Sequence, residues 1–355
     1  MEELKEKAIL VSVILTNKDK QTIEELSELA KTAGAGVVGM LTQKRKSIDK
    51  TYYFGKGKLE ELKKLIEEKG ANLVIFDNEL SGSQLRNIEK ILDTKVIDRT
   101  NLILDIFAKR AKTKEGILQV KLAQYKYSLA RLRGLGISLS RLGGGIGTRG
   151  PGETQLETDI RHIRRSIVYI EKQIEQIKKH RSLYRKRRQK NLVPIVAIVG
   201  YTNAGKSTLI NALTDANTYT EDKLFATLDP LARKLRLSDN KNIILIDTVG
   251  FIRNLPHQLI EAFKSTLEEI KFADVILNAV DISQSNYEEK IKVTEKILSE
   301  LDYLNKPIIT VYNKSDLLDI LPKNTENEIY ISAKNKTNLA SLIAAIQSML
   351  KQSCD

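Results

Sequence analysis

The sequence predicts an α/β protein in three parts, and three observations carry that prediction. Short β-branched runs alternate with amphipathic stretches over the first hundred residues, apolar positions then switch to heptad spacing, and a strand-like run at 193–200 passes directly into a glycine-lysine loop. These give a small parallel α/β domain over residues 1–100, a long antiparallel helical hairpin over 101–190, and a phosphate-loop α/β domain over 191–355. A length of 355 residues with 41% hydrophobic content accommodates two or three packed cores.

In the first part the strand-like runs are AILVSVIL (8–15), GVVGML (36–41), NLVIFD (72–77) and KVID (95–98). Between them lie TIEELSELAKTAG, KLEELKKLIEEKG and SQLRNIEKIL, each apolar on one helical face. Strands separated by helices of this length pair in parallel, because a parallel neighbour needs a crossover. The stretch YYFGKGK (52–58) holds glycines and lysines but lacks the spacing of a phosphate loop, which leaves it a structural or contact loop.

From Leu104 the seam is Leu104, Ala111, Leu118, Tyr125 and Leu132, with Leu122 and Leu129 at the second position. Further on, Leu156, Ile160, Ile163, Ile167, Ile170, Ile174 and Ile177 follow four-three spacing. Two helices flanking a short connection fold most simply as an antiparallel hairpin, although the seam alone also suits a larger bundle. The connection is RLGGGIGTRGPGETQLE (141–157), in which glycine fills six of the ten positions from Gly143 to Gly152. It follows no apolar strand and has no Gly-Lys-Ser/Thr, so it reads as a nearly side-chain-free tip with Arg141 and Arg149 facing phosphates. Helices of roughly thirty residues would place it about 45–50 Å from the base.

Charge separates the three parts. Residues 1–100 carry 18 basic against 17 acidic side chains, 101–190 carry 22 against 7, and 191–355 carry 18 against 21, so the net +13 of the chain resides in the hairpin. From Arg161 to Lys190 twelve basic residues face two acidic ones, whereas a merely solvated helix would intersperse the signs. A polyanionic partner, nucleic acid above all, is the expectation. Cys354 is the single cysteine, which excludes an intrachain disulfide and a cysteine-based zinc site. With no secretory leader and no run of some eighteen apolar residues, a soluble, cytoplasmic protein without a membrane span is expected.

The chemistry is densest after VPIVAIVG (193–200). Gly200, Gly205, Lys206 and Ser207 satisfy G-x-x-x-x-G-K-[ST] between an apolar strand and the helical STLINAL. The loop residues Gly200, Tyr201, Thr202, Asn203, Ala204 and Gly205 present backbone N–H groups to phosphates. Lys206 supplies a point charge at the β and γ positions, and Ser207, followed by Thr208, offers a hydroxyl to Mg²⁺. DTVG (247–250) ends the strand NIILID, with Asp247 placed to hold Mg²⁺ through water and Gly250 to sense the γ-phosphate. LFATLDP (224–230) contains Phe225 and Thr227, the latter placed to close over the metal.

ITVYNKSD (309–316) supplies Asn313, Lys314 and Asp316. The Asp316 carboxylate would accept from guanine N1–H and its exocyclic amine, donors that adenine does not present together. Ser332, Ala333 and Lys334, in IYISAK, bring a backbone N–H to guanine O6. In this order the five elements mark a P-loop GTPase domain, with Lys206, Thr227 and Gly250 as its catalytic set. Metal-facing positions are Ser207, Thr227 and Asp247. Phe251 stands where many GTPases have a water-orienting glutamine, so slow basal hydrolysis with help from a partner is expected. Asn203 has two readings, a monovalent-cation ligand of the kind found in K⁺-stimulated GTPases or a loop-stabilising hydrogen bond.

With YYFGKGK, DNELSGSQLRNIEK, VIDRTNLILDIFAKRA, EGILQVKLAQYKY, the glycine stretch, GYTNAGKST, FATLDP and DTVGFI, the chain resembles the HflX family of translational GTPases. The match runs from about residue 50 to 255, and the remaining GTPase elements extend it. The resemblance implies a cytoplasmic, monomeric GTPase using GTP and Mg²⁺ that binds the large ribosomal subunit or the ribosome and splits or rescues stalled or idle ribosomes. Its hydrolysis would be ribosome-stimulated, with the hairpin and its glycine loop reaching toward the peptidyl-transferase centre. Many relatives carry a small extra domain after the GTPase domain, where here TNLASLIAAIQSMLK is followed only by QSCD. Some are credited with ATP binding by the N-terminal half, for which residues 1–100 show no phosphate-loop spacing. Rival readings are an RNA-modification GTPase, for which no folate or methyl-donor constellation is visible, and a GTP-regulated ribosome- or RNA-binding scaffold with little hydrolysis.

Overall fold

The computed structural model describes residues 6–15, 20–140, 151–190, 193–214, 224–225, 232–237, 241–253 and 269–352. The chain divides into two compact units, Met1–Lys109 with Ile117–Ile174, and Arg110–Gly116 with Glu175–Asp355. Both are α/β, as the alternation of strand and helix patterns requires.

The first unit is built on a four-stranded parallel sheet. Its strands are β1 (Lys7–Ile14), β2 (Gly36–Lys44), β3 (Leu73–Phe76) and β4 (Lys95–Asp98), in the order β2-β1-β3-β4. The crossovers are α1 (Lys20–Ala33), α2 (Lys56–Lys69) and α3 (Gly82–Leu92). Local signals set their ends. α2 stops at Gly70, which takes the left-handed φ of 57°, and α3 starts at a capping box in which Ser81 Oγ accepts from Gln84 N while Gln84 Oε1 accepts from Ser81 N. The YYFGKGK loop is absorbed structurally. Tyr53 and Phe54 are fully buried against Phe76, with ring centroids 5.1 and 5.8 Å away.

Helix α4 (Arg99–Arg110) follows β4 without a loop, and α5 (Lys114–Ser140) and α6 (Pro151–Lys190) form the two long helices. Leu122, Ile170 and Ile174 pack together with Leu118, Tyr125 and Ile167, the predicted seam positions of both helices. Two expectations need correction. The heptad count begun at Leu104 runs through the break between α4 and α5, so Leu104 belongs to the sheet-covering helix, where it is buried. The glycine stretch also contributes to a helix, since α6 begins at Pro151, with proline at the first helical position where its missing N–H costs nothing. At 40 residues α6 spans about 60 Å, longer than anticipated. Residues 141–150 of the proposed tip lie outside the described residues.

The second unit has a six-stranded sheet of order β10-β9-β8-β5-β7-β6. It comprises β5 (Ile195–Gly200), β6 (Ala232–Arg236), β7 (Asn242–Asp247), β8 (Val275–Asp281), β9 (Ile308–Asn313) and β10 (Glu328–Tyr330), with helices α7 (Lys206–Thr214), α8 (Tyr287–Glu300) and α9 (Leu339–Gln352). Among the described residues only the β6–β7 pairing is antiparallel. One face packs Val196, Ile198, Leu277 and Val311 under Leu209, Leu342 and Ile346. The other packs Ala197, Val199 and Ile276 under Ile297 and Leu298. Alternate residues of each buried strand thus feed opposite cores, which is why these strands read as continuous apolar runs.

Candidate nucleotide-binding site

The sheet of the second unit brings Gly200, Asp247, Asp281 and Asn313 to the carboxyl ends of β5, β7, β8 and β9. Chain order reverses beside β5, and open α/β sheets bind ligands at such a switch point. The loop from Gly200 into α7 lies there. Gly200 has φ +143°, and a Cβ on it would fall 2.2 Å from Ala279 O. Gly205 has φ +84°, and a Cβ would meet Asn313 Nδ2 at 2.3 Å. Both positions therefore demand glycine on conformation and on space. Asn203 also has positive φ, 62°, a region asparagine tolerates better than most residues.

Lys206 is 7% exposed and its Nζ donates to the loop carbonyls Gly200 O at 3.1 Å and Tyr201 O at 2.9 Å. Burial lowers its pKa from 10.5 to about 8, against a smaller upward pull from Asp247. A buried ammonium at a helix N-terminus, with only partial compensation, is poised to gain from an anion. Thr202 Oγ1 is buried and has no hydrogen-bond partner among the described residues. A Cβ on Gly250 would come within 2.9 Å of Lys206 Nζ, Thr202 Cα and Thr202 Cγ2, so these three residues converge on one place.

Ser207 Oγ donates to Asp247 Oδ2 at 3.0 Å, and Asp247 is 1% exposed. A hydroxyl beside a buried carboxylate is a hard-oxygen donor pair, and Mg²⁺ is held by one or two such groups together with substrate phosphates. The residues present fit that ion. Thr248, missed by the sequence reading, fixes the turn by donating from Oγ1 to Ile198 O at 2.8 Å. Thr208, on α7, and Tyr201 and Ala204, in the loop, are placed with the rest. Phe225 is buried with φ 56°, while Thr227 lies outside the described residues.

Phe251 follows Gly250 but its ring is turned away from the loop, packing in the core with Ala197, Val199, Ile276 and Ile297. The backbone dictates this. Phe251 N donates to Gly200 O at 3.0 Å and Thr202 N donates to Phe251 O at 2.8 Å, a parallel bridge that ties the DTVG turn to the phosphate loop. Arg253 N donates to Tyr201 Oη at 2.8 Å, and its guanidinium pairs with Glu289 on α8.

At the far side Asn313 acts as a strut. Its Nδ2 donates to Ala204 O at 2.9 Å and its Oδ1 accepts from Ala333 N at 3.0 Å, joining three loops. Lys314 takes a left-handed φ of 63° and its Nζ reaches Asp281 Oδ2 at 2.7 Å; Asp281 also accepts from Ser283 and Gln284. Asp281 was not singled out in the sequence, although an acid closing the apolar run VILNAVD was a usable signal. Asp316 sits exposed on a single 3₁₀ turn, and Ser332 is buried, its backbone paired with Thr337. Lys334 beside it is exposed.

Residues 20–108 match a family described as GTP-binding GTPase N-terminal, 110–188 one described as GTP-binding GTPase Middle Region, and 195–314 one described as 50S ribosome-binding GTPase. The chain is 62% identical over 353 residues to the GTPase HflX of Caldanaerobacter subterraneus subsp. tengcongensis, covering 99% of this chain and 82% of that protein. To the Escherichia coli K12 GTPase HflX it is 43% identical over 353 residues, with 97% and 83% covered. Among solved structures it is similar to the complex of SsGBP with GDP, at 28% identity, a TM-score of 0.53, and 98% and 99% coverage. A GTP-binding protein from Sulfolobus solfataricus in complex with GDP matches at 27% identity and a TM-score of 0.50 over 98% of this chain and 99% of that one.

Proposed function

The chain belongs to the HflX family of GTPases and hydrolyses GTP, and from that premise we propose that it binds the large ribosomal subunit and promotes dissociation or rescue of stalled or idle ribosomes. The observation that carries the reading is the joining of a GTP site to a strongly basic helical pair, with 22 basic and 7 acidic residues over 101–190. A GTPase that only switched a small protein partner has no use for such a charge excess; a factor that docks on ribosomal RNA does. The match of residues 195–314 to a ribosome-binding GTPase family supports the same partner.

In the proposed cycle the N–H groups of the phosphate loop and of the α7 N-terminus receive the β- and γ-phosphates, and Lys206 leaves its loop carbonyls to bridge them. Ser207 and Thr227 would hold Mg²⁺ and Asp247 would hold it through water, and the ion would supply charge neutralisation on the phosphate oxygens. Gly250 presents its N–H to the γ-phosphate. Asp316 accepts from the guanine edge; because Ala333 N–H is committed to Asn313, the N–H of Lys334 is the one left for guanine O6. The Asn203 side chain makes no hydrogen bond among the described residues, which supports its reading as a K⁺ ligand. Equal turnover in K⁺ and Na⁺ would sink that assignment.

The core position of Phe251 supports slow basal hydrolysis, since no side chain at that point can orient water. The ribosome would complete the site, and hydrolysis would release the factor. The test is co-sedimentation with large subunits, paired with GTP turnover. A non-hydrolysable GTP analogue should hold the protein on the subunit and GDP should not, while subunits should raise turnover by about tenfold or more. Equal retention with both nucleotides, or no stimulation, overturns the proposal and favours a scaffold.

A further inference from the structure

α6 turns two apolar side chains to solvent between Arg165 and Lys172. Tyr169 is 64% exposed and Val168 is 51% exposed, although the adjacent Ile170 is buried against α5. Arg165 lies four residues before Tyr169 and Lys172 three after it, one helical turn to either side on the same face. Arg164 stands one turn before Val168. All three cations are exposed, and among the described residues none of them has a carboxylate partner. Glu171, which precedes Lys172 in the chain, is engaged by Lys126 of α5 at 3.2 Å. Glu171 is thus engaged across the helix pair, and Arg164, Arg165 and Lys172 flank the exposed aromatic ring without a carboxylate partner among the described residues.

We propose that this face is an RNA-binding site distinct from the glycine tip, in which Tyr169 stacks on an unpaired base and Arg165 and Lys172 hold the phosphates flanking it. The inference rests on the ribosome reading for its biological setting but not for its chemistry. An aromatic face between two cations a turn apart matches the alternation of base and phosphate along a single strand. A paired A-form helix would not serve, because its deep, narrow major groove shuts out a helix and its bases are stacked, so the target is a loop or bulge. Two apolar side chains ringed by cations are too little for a protein interface core, which depletes charge at its centre.

The sequence contains no tryptophan, so Tyr169→Trp introduces a single emission probe. Wild type, Tyr169→Trp, Tyr169→Ala and Arg165→Ala/Lys172→Ala would be titrated with large ribosomal subunits and with protein-free large-subunit RNA. Tyr169→Ala should weaken binding about tenfold to both, with GDP affinity unchanged. Tyr169→Trp should bind as wild type and its emission should be quenched by RNA. The double cation variant should lower the dependence of binding on salt by about two phosphate contacts. Wild-type affinity in Tyr169→Ala, or tryptophan emission that shifts to the blue without quenching, overturns the inference, the latter pointing to an apolar protein or lipid contact. If subunits fail to bind wild type while free RNA still quenches the tryptophan, the ribosome reading fails and this one stands.

Discussion

The two sheets of this protein carry charged residues at the same place and use them in opposite ways. In the first unit Asp77 follows β3 and Asp98 ends β4, both at the carboxyl edge of a parallel sheet. Asp98, wholly buried, accepts from Leu80 N, Asn101 N, Tyr127 Oη and Arg131 Nη2 at 2.5–2.9 Å. Asp77 accepts from Ser12, Thr22 and the buried Arg99, whose other nitrogen pairs with Glu25 at 2.5 Å. In the second unit Lys206 is buried against carbonyls with its pKa depressed, and Thr202 Oγ1 has no partner among the described residues. The first edge uses its charges to hold elements together; the second leaves Lys206 and Thr202 under-satisfied, where a ligand offsets the cost.

That contrast explains several family-like motifs that the nucleotide site leaves over. ELSGSQ, VIDRTN and the Tyr127 end of EGILQVKLAQYKY converge on Asp98, so they bolt α5 to β4 and thereby aim the long helices. Arg131 lies 4.4 Å from the Tyr127 ring centroid as well as on Asp98. Nearby, Glu79 has its pKa raised by burial first and by Asp98 second, which marks how closed this corner is.

The largest effect expected is from Asp98→Ala, which strands four donors at once. It should cost the first unit about 3–5 kcal/mol in denaturant unfolding while leaving GDP affinity within about twofold. A drop under 1 kcal/mol would show that the corner is not a structural fastener. Lys206→Ala should give the mirror image, with nucleotide affinity falling about a hundredfold and the nucleotide-free protein no less stable, because a poorly compensated buried charge is removed. Unfolding of that variant would erase the distinction between the edges. Asp316→Asn, at an exposed position, should lower GTP affinity some tenfold and shift preference toward a xanthine nucleotide, without touching stability. Competition binding reads it out.

The smallest effect is on pH. Phosphates favour the charged lysine and so raise its pKa above about 8, which makes binding take up a proton. GDP affinity should be full below pH 8 and decline several-fold above it, and Lys206→Arg should flatten the profile. For the nucleotide-free fold the sign reverses. The folded pKa lies below the ordinary 10.5, so the penalty is present under pH 8 and lifts between about 8 and 10.5. A wild-type affinity profile as flat as the arginine variant's would mean that burial does not set this group's protonation.

The phosphate-loop and guanine motifs were legible in the sequence because their parts are local. A strand, a glycine loop and a helix lie within the twenty residues from Ile195 to Thr214, and G-x-x-x-x-G-K-S, DTVG, NKSD and SAK each carry their geometry in their own spacing. Heptad spacing likewise gave the packing of α5 on α6, since side-chain direction in a helix follows from residue count. What tertiary structure decided was everything that depends on which loops meet. Phe251 occupied a catalytic position in the sequence, but its bridge to Tyr201 turns the ring into the core. Asn313 makes a strut between Ala204, more than a hundred residues before it, and Ala333, a role that its spacing in NKSD does not record. The roles of Asp77, Asp98 and Arg99 were hidden for the same reason. Their donors come from β1, α1, α4 and α5, and no spacing along the chain records that a buried charge is satisfied by neighbours brought together only on folding.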